Sequence, residues 1–214
     1  MPTETFFRLP EEKRERIINA AWKELTSVSF PQVSINRIVR EAEIARGSFY
    51  QYFSDKDELL RFLAGGVRDY VVEGYLAVLR DSQGDMFRAA LSAYDQLAEM
   101  QTRGGGEIID RSLCFLRQNP GLDVQKLVSD GSGEDHLEPI WEILDSGILK
   151  RRGRRYMRTG FHLCILVLGN AALDSLAHPE RWEENRLWLA DAIQIIQYGC
   201  AAPAGGTSLG GTEQ

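Results

Sequence analysis

The apolar residues of this chain recur every three or four positions along most of its length, which is the spacing of one face of an α-helix. Between Pro10 and Leu25, for example, Ile17, Ala21 and Leu25 form one apolar stripe. No segment shows the strict alternation of apolar and polar residues that a half-buried β-strand needs. Glycine and proline breaks divide the pattern into segments of helical length. The sequence therefore predicts an all-α fold of about nine helices.

The chain of 214 residues has room for a small domain followed by a larger one. We predict a small helical domain over residues 1–62, a larger helical domain over 63–200, and a disordered tail over 201–214 that is rich in Gly, Ala and Thr. Gly65 and Gly66 fall in the helix that leaves the first domain, and because glycine has a poor helix propensity, we expect a bend there.

The net charge of −6 argues at first against a nucleic-acid partner. However, the first 66 residues carry ten of the 25 Lys and Arg and ten of the 31 Asp and Glu. The excess of acid therefore belongs to the C-terminal part. A neutral N-terminal domain can still present a local basic face to DNA.

The cysteines and histidines lack the spacing of a disulfide framework or a metal site. Cys114, Cys164 and Cys200 are an odd number and far apart, and His136 and His162 are isolated. The sequence also lacks a phosphate loop, a nucleophile elbow and a dinucleotide fingerprint. We therefore expect no catalytic residue, no metal and no cofactor.

The longest apolar stretch runs from Phe161 to Leu176 and contains His162, Asn170 and Asp174. It is short for a membrane span, so we interpret it as a buried helix. The start of the chain lacks a basic and apolar leader, and the cysteines favour a reducing compartment. We expect a cytoplasmic protein without a membrane partner.

The most informative stretch is Val33 to Leu60, where two short helices flank a tight turn. The first is predicted over 35–41, with Ser34 as its cap, and the second over 46–52. Phe49 and Phe53 are four residues apart and would anchor the second helix to a core. Its outer face is then free to enter a DNA major groove, as in a helix-turn-helix. A plain helical hairpin is the alternative.

The candidate DNA contacts lie on or beside the second helix. Gly47 lets the helix approach a phosphate closely, and the hydroxyl and amide groups of Ser48 and Gln51 suit base edges and phosphates. Lys56 lies near a helix N-terminus and is a candidate phosphate clamp. The full set is Ser34, Arg46, Gly47, Ser48, Tyr50, Gln51, Tyr52 and Lys56. Three of these residues have a second interpretation. Tyr50 and Tyr52 are alternatively half-buried supports of the helix, and Arg46 is alternatively a solvated charge.

The next helix also has a predicted start signal. Ser54 is placed to cap it, and Asp57 is placed at the third helical position, where a carboxylate can reach back to the cap. This pair predicts a capping box at the entry to the long helix.

The same stretch resembles the TetR family of bacterial transcriptional regulators. The most specific part is G-S-F-Y-x-Y-F-x-x-K-D-x-L from Gly47 to Leu59, preceded by S-x-x-x-I-V-x-x-A from Ser34 to Ala42. The resemblance covers about residues 8–62, and beyond them only the layout matches. Glu43 stands where the family usually has glycine in the turn. The resemblance implies a three-helix DNA-binding domain, a larger ligand-binding domain, and repression relieved by a small molecule, although activators also occur in the family.

The two last helices are predicted at about 155–177 and 179–199 and carry more apolar positions than one small core needs. An isologous four-helix interface of a homodimer would bury them. The predicted contacts are Ile165, Leu168, Ala172, Leu187, Ala190 and Ile193. A two-fold dimer in turn predicts a near-palindromic operator of double-stranded DNA.

A small effector of largely apolar character is expected in the C-terminal domain. Its candidate wall residues are Tyr94, Phe115, Trp141 and Phe161, for which ordinary core packing is the alternative. For the whole chain, the competing hypothesis is a helical adaptor that binds only protein. Salt-dependent DNA binding distinguishes the two functions.

Overall fold

The computed structural model describes residues 1–103, 106–123, 127 and 137–200. Within them lie ten α-helices and three short 3₁₀ turns, and this part of the chain has no β-strand. The helices are α1 (Glu4–Phe7), α2 (Glu11–Leu25), α3 (Ile35–Glu41), α4 (Arg46–Tyr52), α5 (Lys56–Asp81), α6 (Met86–Thr102), α7 (Glu107–Gln118), α8 (Glu138–Ile143), α9 (Arg154–Ala177) and α10 (Trp182–Cys200). The predicted all-α fold is confirmed, and the four-residue α1 was not foreseen.

The chain forms two compact units, each of which is built from two separate segments of the sequence. Among the described residues, the N-terminal unit comprises 1–71, 106–123 and 127, and the C-terminal unit comprises 72–103 and 137–200. α5 contributes to both, and α7 belongs to the N-terminal unit. The division at residue 62 stays a prediction, and the predicted disordered tail over 201–214 lies outside the described residues.

The N-terminal unit has an aromatic core that the segment before α2 helps to close. Phe6 on α1 is fully buried, with its ring centroid 4.8 Å from that of Phe53 and 5.2 Å from that of Phe62. Thr3 donates from its backbone N–H to the Tyr52 carbonyl over 3.0 Å, and from its hydroxyl to the Gln51 carbonyl over 2.6 Å. Because these carbonyls belong to the last turn of α4, the N-terminal segment fixes the end of that helix.

The C-terminal unit is built on the contacts that α6, α9 and α10 make with one another. Asp85 begins α6 by accepting hydrogen bonds from the backbone N–H groups of Phe87 and Arg88. Before it, Gly84 has φ +80°, and a Cβ there would lie 2.4 Å from the Ile143 carbonyl oxygen. Only glycine fits this close approach of two chain segments.

Helix α9 buries one face and exposes the other. Phe161, Cys164 and Ala171 are buried, whereas Leu166 and Leu173 are exposed. The interpretation of 161–176 as a buried helix is therefore correct for one face only. By length and composition α9 is apolar enough to cross a membrane, with 28% of its most apolar window buried, and core helices of soluble proteins meet the same criterion.

Candidate nucleic-acid interface

The turn between α3 and α4 is closed by backbone hydrogen bonds around a fully buried Ala42. Ile44 donates its N–H to the Val39 carbonyl over 3.0 Å. Glu43 has φ +53°, in the left-handed region that favours glycine. Its carboxylate lies 3.2 Å from Arg16 on α2. The turn therefore forms with a glutamate in place of the family's glycine, at a conformational cost of about 1 kcal/mol.

Helix α4 has two distinct faces. Phe49 and Phe53 are fully buried, and their rings lie 5.6 Å apart. The opposite face exposes Arg46, Gly47, Tyr50 and Gln51, which follow one another at the i, i+1, i+4, i+5 spacing of a single helix side. A Cβ added at Gly47 would meet nothing within 4 Å, so the protein's own packing does not require glycine there.

Ser34 does not cap α3 with its side chain, contrary to the prediction. Instead its backbone N–H donates to the Glu24 carboxylate over 2.9 Å, and Arg37 Nε donates to the same oxygen over 2.8 Å. Helical spacing could not predict this bond, because Glu24 lies ten residues before Ser34 on another helix. Ser34 and Ser48 are both half-buried at the helix starts.

Tyr52 lies on the inner side of α4 and is only 4% exposed, with its ring 6.1 Å from that of Phe6. This placement fits the alternative that Tyr52 supports the core. Tyr50, by contrast, is 48% exposed on the outer face.

Lys56 is already engaged within the N-terminal unit. Its ammonium donates to the carbonyls of Phe30 and Pro31 over 2.9 and 3.0 Å, and it lies 4.9 Å from the centroid of the Phe30 ring. An ammonium has three N–H donors. Two of them hold the 3₁₀ turn at Phe30–Gln32, which leaves one for a phosphate.

The capping box at the start of α5 is one residue later than predicted. Asp55, not Ser54, accepts from the Glu58 N–H over 2.7 Å, and Glu58 accepts from the Ser54 N–H over 2.6 Å. The Met1 ammonium lies 2.7 Å from the other Glu58 oxygen. Burial alone would raise the pKa of Glu58, but the hydrogen bonds from the N-terminal ammonium and Ser54 outweigh it and lower the pKa to about 2.

Two arginines beside the exposed face of α4 are free of ion pairs within the described chain. Arg40 lies in the last turn of α3 and Arg46 begins α4, and both are exposed. The neighbouring cations on α2 are paired instead, Arg16 with Glu43 and Lys23 with Glu41. Arg40 and Arg46 are thus the cations that this surface offers to an anionic partner.

Residues 17–63, which hold α3, α4 and the turn between them, match the sequence profile described as "Bacterial regulatory proteins, tetR family". Over these residues the chain is therefore similar to the TetR family. One relative is the HTH-type transcriptional regulator HbdR of Aromatoleum sp. (strain CIB), which is 40% identical over 62 residues, 29% of this chain and 27% of that protein. The matched stretches span about a quarter of the length of the curated relatives.

Solved structures extend the likeness in fold over most of the chain. A TetR-family regulator from Shewanella sp. PV-4 has a TM-score of 0.61 at 21% identity, over 90% of this chain and 100% of that one. FadR of Thermus thermophilus, a TetR-family repressor in complex with lauroyl-CoA, has a TM-score of 0.51 at 22% identity, over 91% and 100% of the two chains. At these identities the likeness concerns the fold alone.

The predicted effector-pocket residues are divided between the cores of the two units. Tyr94, Trp141 and Phe161 belong to the core of the C-terminal unit, but Phe115 belongs to that of the N-terminal unit, 6.3 Å from the Phe30 ring. Helix α7 therefore turns Phe115 to the N-terminal core, and the place of Phe115 in an effector pocket stays a prediction. A polar cleft of about 480 Å³ in the N-terminal unit is lined by other residues, namely Arg16, Asn19, Ala20, Lys23, Thr26, Glu41 and Arg111.

The predicted dimer contacts differ in exposure. Ile193 is 2% exposed and packs in the core of its own unit, which does not favour a direct contact with a partner chain, and its place in the interface stays a prediction. Leu187 is exposed, whereas Ile165, Leu168, Ala172 and Ala190 are half-buried. The exposed apolar residues of α9 and α10 that the prediction missed are Leu163, Leu166, Leu173, Trp188, Ile195 and Tyr198.

Of the histidines and cysteines considered as ligands from the sequence, Cys114, Cys164 and His162 have described side chains. Cys164 is buried and His162 is exposed on the same helix. No group of three or more His, Cys, Asp or Glu residues that could hold a metal occurs among the described residues. His136 lies outside them.

Proposed function

We propose that this protein is a cytoplasmic, DNA-binding transcriptional regulator that acts as a repressor. It binds a near-palindromic operator in double-stranded DNA as a homodimer and is released by a small, largely apolar effector. One observation carries the DNA-binding part: α4 anchors Phe49 and Phe53 in the core and leaves Arg46, Tyr50 and Gln51 exposed on its other side. This is the arrangement that a recognition helix needs.

The exposed residues of α4 divide into two chemical roles in this proposal. The amide of Gln51 matches the paired donor and acceptor of a base edge, so it reads sequence. Arg46, whose guanidinium has no ion pair among the described residues, binds a phosphate and fixes the position of the helix on the duplex. Gly47, exposed and without a side chain, lets the backbone at the start of α4 come close to a second phosphate.

The dimer proposal is supported by the exposed apolar face of α9 and α10. Leu166 is 68% exposed and Ile195 is 72% exposed, and large apolar side chains of this kind are normally removed from water. Both lie on long helices, which pair well across a two-fold axis as a four-helix interface. We assign Leu163, Leu166, Leu173, Leu187, Trp188, Ile195 and Tyr198 to this interface.

The effector proposal is supported by the apolar and aromatic character of the C-terminal core. Trp141 and Phe161 stand edge to face there, with ring centroids 5.0 Å apart. The lauroyl-CoA bound to the Thermus thermophilus relative is an example of a ligand with a long apolar part. We propose the same broad class, a small molecule that is apolar over most of its surface, for this protein.

The test is footprinting of the purified protein on the DNA upstream of its own gene, followed by binding to the protected fragment over a range of salt concentrations. We expect a symmetrical footprint with two half-sites, and an affinity that falls steeply as salt rises, because phosphate contacts release counterions. A protein-binding adaptor would give neither a footprint nor salt-dependent binding. That result would overturn the proposal in favour of the adaptor.

A further inference from the structure

Tyr75 on α5 carries a hydroxyl group that is buried in the C-terminal unit without a partner. The residue is 7% exposed, and its Oη makes no hydrogen bond within the described residues. Buried hydroxyl groups are almost always hydrogen-bonded, because removing them from water is otherwise costly. An unpartnered hydroxyl in a core therefore points to a group that it meets in another state of the protein.

The second buried tyrosine of this core is fully satisfied, so the missing bond is particular to Tyr75. Tyr94 Oη lies 2.6 Å from Ser175 Oγ and donates to the Trp182 carbonyl over 2.9 Å. The core is thus able to supply partners to a tyrosine. It does so at the junction of α9 and α10 and not at α5.

Tyr75 belongs to an aromatic group within a core that also contains the flexible side chain of Met86. Its ring stands edge-on to Phe161 with 5.7 Å between centroids, and Phe161 in turn contacts Trp141. Met86 fills the space against Gly160, 3.6 Å from where a Cβ would stand. A methionine side chain is flexible and re-packs readily, so Met86 can yield space to an apolar molecule beside the rings.

The chemistry of this region favours a neutral acceptor on the ligand. Ser82 and Ser175 are the buried polar residues of the C-terminal unit in the described chain, and none of its buried residues is charged. A carboxylate or phosphate would therefore find no buried counter-charge. Burial, with smaller contributions from Cys164 and Asp85, raises the pKa of Tyr75, so its hydroxyl stays protonated and acts as a donor.

We infer that Tyr75 is the polar anchor of the effector site and donates a hydrogen bond to a neutral acceptor, such as a ketone or ester carbonyl, on an otherwise apolar molecule. This inference rests on the proposed effector-responsive function. Tyr75 lies on α5, the helix that begins at Lys56 directly after the recognition helix. A ligand bonded to Tyr75 therefore acts on the element that continues from the DNA-binding segment.

The test uses matched pairs of a ketone and the hydrocarbon of nearly the same shape. Suitable pairs are acetophenone with ethylbenzene, 2-acetylnaphthalene with 2-ethylnaphthalene, and 2-undecanone with undecane. Binding to the full-length protein is measured by calorimetry and by the rise in melting temperature. We expect the wild type to prefer the ketone of at least one pair by roughly three- to tenfold, the usual worth of a neutral hydrogen bond.

The Tyr75→Phe variant should lose that preference while binding the hydrocarbon as tightly as the wild type. The control is Tyr70→Phe, which removes an exposed hydroxyl from the same helix and should keep the preference. Without ligand, Tyr75→Phe should melt no lower than the wild type, because its hydroxyl has no bond to lose. A clearly lower melting temperature would mean that the hydroxyl has a structural partner, and would overturn the inference.

Two further outcomes separate the anchor from the effector proposal itself. If a ketone binds the wild type and Tyr75→Phe equally well, the protein has an effector site but Tyr75 is not its anchor. If no compound of any pair binds the wild type, both the anchor and the proposed class of effector are wrong. The footprinting experiment tests DNA binding independently of either outcome.

Discussion

Arg37 on α3 donates a hydrogen bond of 2.8 Å to the carboxylate of Glu24 on α2, and so joins the helix-turn-helix to the helix that supports it. The same carboxylate oxygen accepts from the N–H of Ser34 at the start of α3. Glu24 is 8% exposed, which places this ion pair at the edge of the core and not in open solvent. One buried acid therefore fixes both the start and the first turn of α3.

Replacing Glu24 by Ala should lower the free energy of unfolding by about 2 kcal/mol, since it removes two charge-assisted hydrogen bonds and leaves the Ser34 N–H unpaired. Urea unfolding of the purified variant measures the loss. Glu41→Ala is the matched control, because its bond to Lys23 is between exposed side chains and should be worth less than about 1 kcal/mol. Equal losses in the two variants would contradict the role of Glu24.

Replacing Glu43 by Gly should stabilise the protein by about 0.5–1 kcal/mol. The φ of +53° is strained for glutamate and free for glycine, and this gain exceeds the loss of the exposed contact with Arg16. Thermal unfolding monitored by circular dichroism measures the change. Glu41→Gly, at the last residue of α3, should instead destabilise the protein, because it loses the contact with Lys23 and adds backbone freedom at a helical position. A destabilised Glu43→Gly variant would show that the bond to Arg16 outweighs the strain.

The stability of the N-terminal unit should fall in acid because of Glu58. Its pKa lies at about 2 in the folded protein against an ordinary value of 4.5, so the folded state favours the charged carboxylate. This stabilisation is complete above pH 4.5 and is lost as the pH falls through 4.5 towards 2. Because the Met1 ammonium is largely exposed, we expect a contribution of only about 1 kcal/mol. Melting temperatures of the wild type and Glu58→Gln should differ at pH 6 and converge near pH 2; a constant difference would contradict this.

Variants of the two proposed DNA contacts on α4 should differ in how they change the salt dependence of DNA binding. Arg46→Ala should weaken binding to all DNA sequences alike and reduce the slope of log K against log salt by about one unit. Gln51→Ala should change the preferred base at one position of each half-site and leave that slope unchanged. Binding titrations against the protected fragment and its single-base variants measure both effects. Tyr52→Phe, at a buried position, is the control and should retain sequence preference. An unchanged slope for Arg46→Ala would remove its phosphate contact from the proposal.

Leu166→Glu should convert the proposed dimer to a monomer, because it places a charge in the middle of the exposed apolar face of α9. Light scattering at micromolar protein concentration gives the mass. Val71→Glu is the control, since Val71 is equally an exposed apolar residue but lies on α5. If Leu166→Glu remained a dimer, the interface would lie elsewhere on the molecule.

The sequence by itself determined the class of fold and the identity of the helix-turn-helix. Both depend on local information: the 3.6-residue period, and a run of residues from Gly47 to Leu59 whose buried and exposed sides follow from helical spacing. Phe49 and Phe53 are buried, and Tyr50 and Gln51 exposed, as this spacing requires. The left-handed turn at Glu43 also had a sequence signal, because the family places glycine there.

Only the tertiary structure decided the contacts between residues distant in sequence. It assigned Phe115 to the N-terminal core, tied Lys56 to the carbonyls of Phe30 and Pro31, and buried Ile193 within its own unit. A helical pattern shows that a residue faces some apolar surface, but not whether that surface belongs to its own unit, the other unit or a partner chain. Ion pairs such as Glu24 with Arg37 are equally invisible to helical periodicity, because their geometry depends on how two helices pack and not on the spacing within either.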